Sequence, residues 1–228
     1  MRNTPDPGSK PKGNIRGKLP KSTLKRERIV KAAAVVFCRR GYAEATLAEI
    51  AAEAGTQAGS LYYYFDGRDQ LVEEVLSYTV RDLRAKVANA LEMLPPTADS
   101  LDRLITTVRT HVLTILEMDA FNLAYHKIHD QVPPELNERN KRDARSYARF
   151  WTQVFNEAVR DGHLREDLDS RLTRLLIVGS ITWMNEWYKP KGASSPEDIA
   201  SALIDLFFKG AARVPDVAIS RYREIATA

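Results

Sequence analysis

Residues Thr46 to Leu71 read TLAEIAAEAGTQAGSLYYYFDGRDQL, and the spacing inside this stretch decides the fold. Thr46 with Glu49 three positions on forms a capping box, in which each side chain satisfies a backbone N–H left over at a helix start. Leu47, Ile50, Ala51 and Ala54 follow at i, i+3, i+4 and i+7, the apolar stripe of a short helix. Gly55 predicts its end, because the left-handed residue after a helix costs glycine least. With Thr56 as the break, a second short helix carries Gln57, Ala58, Gly59, Ser60, Leu61, Tyr62, Tyr63 and Tyr64. Two helices joined by so tight a turn form a helix-turn-helix, whose second helix enters a DNA major groove.

Upstream, Ile29, Ala32, Ala33, Val36 and Phe37 keep helical spacing from about Ser22 to Arg40, and Gly41 stops the run. This helix completes a three-helix DNA-binding head over residues 22–70. Residues 1–21, rich in Pro, Gly and Lys, predict a disordered basic arm that orders only on DNA. Downstream, Asp66 is placed to cap a helix from about Gly67 to Met93, ended by Pro95-Pro96. Val72, Val75, Leu76 and Leu83 form its inward face. Five more helices are predicted over about 99–117, 119–130, 134–161, 169–189 and 196–209, separated by Pro133-Pro134, Gly162 and Pro190-Lys191-Gly192. No alternating strand pattern of useful length interrupts them, so the fold class is all-α: a head, a helical body over 71–213 and a tail over 214–228.

Charge points the same way. Residues 1–75 hold 13 Lys/Arg against 9 Asp/Glu, and residues 76–228 hold 21 against 21. The whole excess of +4 therefore lies with the helix-turn-helix, as a phosphate-binding end requires. No apolar run approaches the ~20 residues of a membrane span, and no apolar segment follows the basic N-terminus as in a secretory signal. Cys38 is the only cysteine, which rules out internal disulfides and suits a reducing cytoplasm. Its apolar neighbours Val35, Val36 and Phe37 make it a small core filler.

Gly59-Ser60, Leu61, the tyrosine trio, Phe65, the Asp66-Gly67 turn, Arg68 and Leu71 together resemble the TetR family of bacterial transcriptional regulators over about residues 23 to 75. The resemblance implies that Gln57, Ala58, Ser60 and Tyr62 face base edges and that Thr46, Tyr63, Tyr64 and Arg68 touch phosphates. Gly59 would allow close approach. The chemistry agrees: Gln pairs bidentately with adenine, and tyrosine hydroxyls donate to phosphate oxygens. One of the three tyrosines packing into the head is the alternative, since Leu61 and Phe65 alone make a thin apolar face.

In the body, the segment around Ile181, Met184, Trp183 and Trp187 and the segment around Leu203 and Phe207 are apolar on more than one side, so each needs a second partner. The resemblance implies a homodimer through these last two helices, with Ile181, Met184, Leu203 and Phe207 at the interface. Phe121, Asn122, Tyr125, His126, Trp151, Phe155, Trp183, Trp187 and Tyr188 mix aromatic and polar character as an effector pocket does, with ordinary core packing as the alternative. His126, His129 and Asp130 lie on one short helix without a further ligand, which is poor metal geometry, and no cofactor motif is present. A second resemblance rests on Glu138-Arg139-Asn140-Lys141, Asp167-Leu168-Asp169 and Trp187-Tyr188-Lys189-Pro190 with Gly192. It is to family members that govern fatty-acid, aromatic-acid and sterol-ring breakdown, some of which sense CoA thioesters. It implies an apolar pocket with cations at its mouth, for which Lys141, Arg145 and Arg149 are candidates.

These readings converge on a cytoplasmic, dimeric, ligand-responsive repressor released from a palindromic operator by an apolar or acyl-CoA-like effector. A multidrug sensor, a helical protein-binding adaptor and an all-α enzyme are the alternatives. The enzyme reading has no nucleophile–base arrangement behind it.

Overall fold

A computed structural model describes residues 20–209; the tail over 214–228 and all of the expected 1–21 arm except Pro20 and Lys21 lie outside the described residues, and Lys21 already begins the first helix. Helix α1 runs Lys21–Glu44, α2 Leu47–Glu53, α3 Ala58–Leu61 and α4 Arg68–Glu92. Helix α5 (Ser100–Leu116), α6 (Ala120–Ile128), a 3-10 turn (Pro134–Asn137), α7 (Glu138–Arg160), α8 (Ser170–Trp187) and α9 (Pro196–Lys209) follow, with no strand among the described residues.

The local signals act where the sequence places them. Thr46 Oγ1 accepts from the Glu49 N–H at 3.2 Å, while the Glu49 carboxylate accepts from the Thr46 N–H. At the other end of α2 the Gly55 N–H reaches the Ala52 carbonyl and the Thr56 N–H the Ala51 carbonyl, with Gly55 at φ +61°. That pair of bonds is the Schellman arrangement, and it turns the chain sharply into α3. Gly41, at φ +79° and ψ −176°, breaks the helix after Arg40 as its sequence position predicts, and a further short helical turn runs on to Glu44 within the α1 span. Asp66 does not cap α4 with its side chain. Instead the Gln70 side-chain oxygen accepts from the Asp66 N–H at 2.7 Å, so the reach runs backwards from the helix.

Two apolar clusters organise the molecule, and α4 runs through both. Leu71, Val72, Val75 and Leu76 are buried with Ile29, Val36, Phe37, Ile50, Leu61 and Phe65 in the head. Leu83 and Val87, farther along α4, belong to a second cluster with Leu104, Val112, Trp151, Phe155, Ile177 and Ile181. Each such side chain contributes about 1.5–3 kcal/mol over leaving it in water. The head is not a closed three-helix unit. Ala124 and Ile128 of α6, with Val132 just beyond it, are buried in the head's cluster, and α6 packs along α1. Cys38 is half-buried at the edge of the same cluster.

A buried carboxylate fastens the junction a second time. Glu74 on α4 accepts from Arg26 of α1 and from Arg139 of α7, each at 2.9 Å, with Arg81 at 3.5 Å. Burial acts to raise its pKa, but the hydrogen bonds and charges of Arg26 and Arg139 outweigh burial and hold it below the ordinary carboxylate value. Glu74→Ala should therefore lower thermal stability by about 1–3 kcal/mol at pH 7, the range for hydrogen bonds to charged groups. Because the depressed pKa contributes stability above the unfolded value, the variant should also lose less than wild type on acidification. An unchanged melting temperature would show that the three groups do not bind the head to the body.

Candidate DNA interface and ligand cavity

At the outer end of the head, α3 presents Gln57, Ala58 and Gly59 to solvent, with Ser60 half-buried. Tyr62 is 63% and Tyr63 81% exposed, while Leu61 and Phe65 carry the packing behind them. Aromatic surface left in water on so small a helix, beside a basic N-terminal region, fits a groove-reading face. Tyr64 is the tyrosine that packs: half-buried against the head's cluster, it takes Lys25 over its ring at 5.7 Å and Tyr63 edge-on at 4.9 Å. No Cβ at Gly59 would meet anything, so this position is open to approach.

The role read for Arg68 changes. Its Nη1 donates to the carbonyls of Ala43 (3.4 Å) and Ala45 (3.3 Å), and its guanidinium lies 4.4 Å from the Tyr42 ring centroid. The end of α1 leaves carbonyls without partners, and a cation over them satisfies those groups. Arg68 thus closes the α1–α2 corner from inside rather than pointing outward to phosphate.

In the body, α4, α5, α6, α7 and α8 enclose a cavity of about 470 Å³. Four of the residues predicted for an effector line it: Asn122, Tyr125 and His126 from α6 and Trp151 from α7. Lys141 and Arg145 line it too, whereas the exposed Arg149 does not. The lining also includes His111, Tyr147, Arg174 and Asn185, which spacing alone did not single out.

The other predicted pocket residues are placed elsewhere. Phe155 is fully buried in the body's core, edge-on to Phe207. Phe121 stacks on Tyr78 at 4.0 Å beside the Glu74 junction, and Tyr188 borders a small recess with Lys189 and Gly192. Trp183 and Trp187 are 64% and 50% exposed on the outer face of α8. Two of the four dimer residues, Ile181 and Met184, are corrected by the same helix. Ile181 and Met184 point into the core, and Leu203 and Phe207 of α9 are half-buried against it. The face left outward carries Leu172, Leu176, Trp183 and Trp187, with Leu206 of α9 also exposed. Both faces of α8 are apolar, so composition could not say which turns inward.

The cavity's polarity is graded. Buried His111, Tyr147 and Trp151 stand together, with the His111 ring 5.6 Å from Tyr147 and 5.8 Å from Trp151. By geometry His111 Nδ1, the Tyr147 hydroxyl and Trp151 Nε1 have no hydrogen-bond partner among the described residues, although the Tyr147 hydroxyl and the Trp151 indole N–H stand close enough to interact with one another. An orphaned buried polar group costs about 1–3 kcal/mol, so three together on one wall call for an occupant that pairs with them. Asn122 is already spent, donating to the Thr114 carbonyl at 2.9 Å. The lining cations are Lys141 and Arg174, half-buried, and Arg145, exposed; no Asp or Glu among the described residues lines the cavity. Across the gap, His126 Nε2 lies 3.1 Å from Glu186, at ion-pair distance but without hydrogen-bond alignment. His129 pairs with Asp130 at 2.8 Å and stacks on Tyr125, away from His126's partner.

Comparison with known proteins bears on both surfaces. Residues 29–75 match the bacterial regulatory proteins, tetR family, and residues 97–211 match the tetracyclin repressor-like C-terminal domain. The HTH-type transcriptional repressor KstR2 of Mycolicibacterium smegmatis is 29% identical over 192 residues, covering 82% of this chain and 90% of the relative. Among solved structures, AibR in complex with isovaleryl coenzyme A and operator DNA superposes with a TM-score of 0.71 at 22% identity, covering 81% of this chain and 98% of that one. The TetR family transcriptional regulator PfmR of Thermus thermophilus gives 0.70 at 22% identity, covering 82% and 100%.

His111 makes the cavity wall sensitive to acid. Burial pushes its pKa down from 6.5 to about 3, so the folded chain refuses a proton that the unfolded chain accepts. Stability from this residue is complete above pH 6.5 and is lost as pH falls towards 3. At pH 5 the loss is about 2 kcal/mol. Thermal melts at pH 7.5 and 5 should show it, and His111→Phe should flatten the difference; an equal acid loss in the variant would place the sensitivity elsewhere.

Proposed function

The chain belongs to the tetR family of bacterial regulatory proteins, and from that premise we propose a cytoplasmic homodimeric repressor that an acyl-CoA-like effector releases from a palindromic operator. The observation that carries this reading is the sharing of α6. One face of that helix is buried in the head with α1, and the other lines the cavity with Asn122, Tyr125 and His126. An occupant that prefers one placement of α6 must bias the placement of the head, since equal affinity for both would shift nothing.

For DNA, Gln57, Ala58, Ser60 and Tyr62 read the groove, and Thr46, Tyr63 and Tyr64 contact phosphates. Arg68 serves by holding the head's corner. For the dimer, the outer stripe of α8 meets its copy, because large apolar side chains spaced one helical turn apart gain most from mutual burial. Gly179 and Ser180, exposed in the middle of that stripe, let two backbones approach. For the effector, an apolar wall with three cations and no acid favours an anionic, largely apolar molecule over a cationic drug. A CoA thioester has that form, and the structural likeness to AibR, solved with isovaleryl coenzyme A and operator DNA, supports the class.

Retardation of duplexes from the gene's own upstream region tests the reading. Wild type should bind one palindromic site, and a saturating medium-chain acyl-CoA should weaken binding by about 5- to 150-fold, the usual range of allosteric coupling. Leu176→Asp, which buries an unpaired charge in the mate contact, should sediment as a monomer and lose specific retardation. A monomeric wild type, or one retarding every duplex equally, would contradict the proposal.

A further inference from the structure

Resting on the effector reading above, we propose that the apolar part of the effector carries a neutral oxygen function, a ketone or hydroxyl, that the Trp151–Tyr147–His111 wall receives by hydrogen bonds. The cations meet the effector's anionic part separately, at the solvent-reaching side of the cavity.

Three buried groups set the chemistry. Trp151 Nε1 can only donate, so it requires an acceptor. The Tyr147 hydroxyl donates or accepts, and neutral His111 presents one donor and one acceptor nitrogen. A plain alkyl chain would cover all three and satisfy none, whereas a carbonyl oxygen accepts two hydrogen bonds and a hydroxyl also donates one. A carboxylate fits this wall poorly. Burial keeps His111 uncharged and none of the three wall groups carries a charge; Lys141 and Arg145 lie on α7, and the one cationic donor with a buried, unpartnered atom, Arg174 Nε, belongs to α8 rather than to this wall. Discrimination of this kind can be large, because a site built to hydrogen-bond a ligand oxygen leaves its own buried groups unpaired when the oxygen is missing. The surrounding Val80, Leu83, Ile115 and Val178 supply apolar walls that hold the oxygen in place without competing for it.

Matched pairs of CoA thioesters provide the test: octanoyl- against 7-oxo-octanoyl-, decanoyl- against 9-oxodecanoyl-, and cyclohexanecarbonyl- against 4-oxocyclohexanecarbonyl-CoA. Calorimetry on the full-length wild-type protein should find at least one oxo form about tenfold tighter than its partner. That advantage should vanish in Tyr147→Phe, which keeps the packing, as well as in Trp151→Phe. The indole N–H resonance of Trp151, one of three tryptophans, should move downfield only with the oxo ligand. A parallel arm uses cyclohexanone against methylenecyclohexane at millimolar concentration, read by the same resonance. If no thioester binds but cyclohexanone shifts Trp151 and the hydrocarbon does not, the CoA reading fails and the wall assignment stands. If oxo and deoxo forms bind equally in every pair and cyclohexanone leaves Trp151 unmoved, water satisfies the wall and the proposal is overturned.

Discussion

Helix α6 cannot satisfy its own apolar surface within the body, and that constraint shapes the rest of the molecule. Ala124, Ile128 and the following Val132 are buried with α1 in the head's cluster, so the DNA-binding unit is completed by a helix that follows α4 and α5 in the chain. The opposite side of the same nine-residue helix faces the cavity. Its start is held by Asp119, whose carboxylate accepts from the Asn122 N–H at 2.8 Å, after a corner where Met118 takes a left-handed φ of 51°. Its end is tied to the head again: the Gln131 side chain accepts from the Tyr42 N–H at 3.2 Å while donating to the Lys127 carbonyl. Movement of α6 in the cavity is therefore movement of a wall of the head.

Glu74 gives that junction a polar counterpart. A carboxylate shielded from water is stable only while both guanidinium partners stay in register, so the Arg26–Glu74–Arg139 contact favours one discrete placement of α1 and α7. Packed interfaces of this type switch between arrangements rather than deform continuously, which is what a repressor with two head spacings needs. The cavity's unpartnered polar wall stands on α5 and α7, and α7 also carries Arg139 of the Glu74 contact. Ligand chemistry and head geometry are thus separated by a single layer of secondary structure.

How much of this was legible in the sequence follows from how local each signal is. Thr46, Glu49, Gly55 and the tyrosine trio specify the helix-turn-helix within a few residues of one another, and the body helices are bounded by their own caps or breakers. The mounting of α6 in the head was not legible, because Ala124 and Ile128 look like any amphipathic stripe until α1 is placed beside them. The two faces of α8 were exchanged for a related reason: Ile181 with Met184 and Trp183 with Trp187 are equally apolar, and only the packing of α5 and α7 chooses between them. Arg68 misled through its position in the first turn of α4, where an anion is favourable, yet carbonyls at the end of α1 lie nearer. His111 and Tyr147 give no signal in isolation; their meaning comes from burial beside Trp151 without a partner.

If cavity and operator act on one shared element, α6, their occupancies are linked reciprocally. The most direct measurement is calorimetry of one acyl-CoA effector binding to the free dimer and to the dimer already saturated with its operator duplex. Effector should bind more weakly to the operator complex, by the same factor by which it weakens operator binding. Equal effector affinity for the free and the operator-bound dimer would show that the cavity does not govern the head.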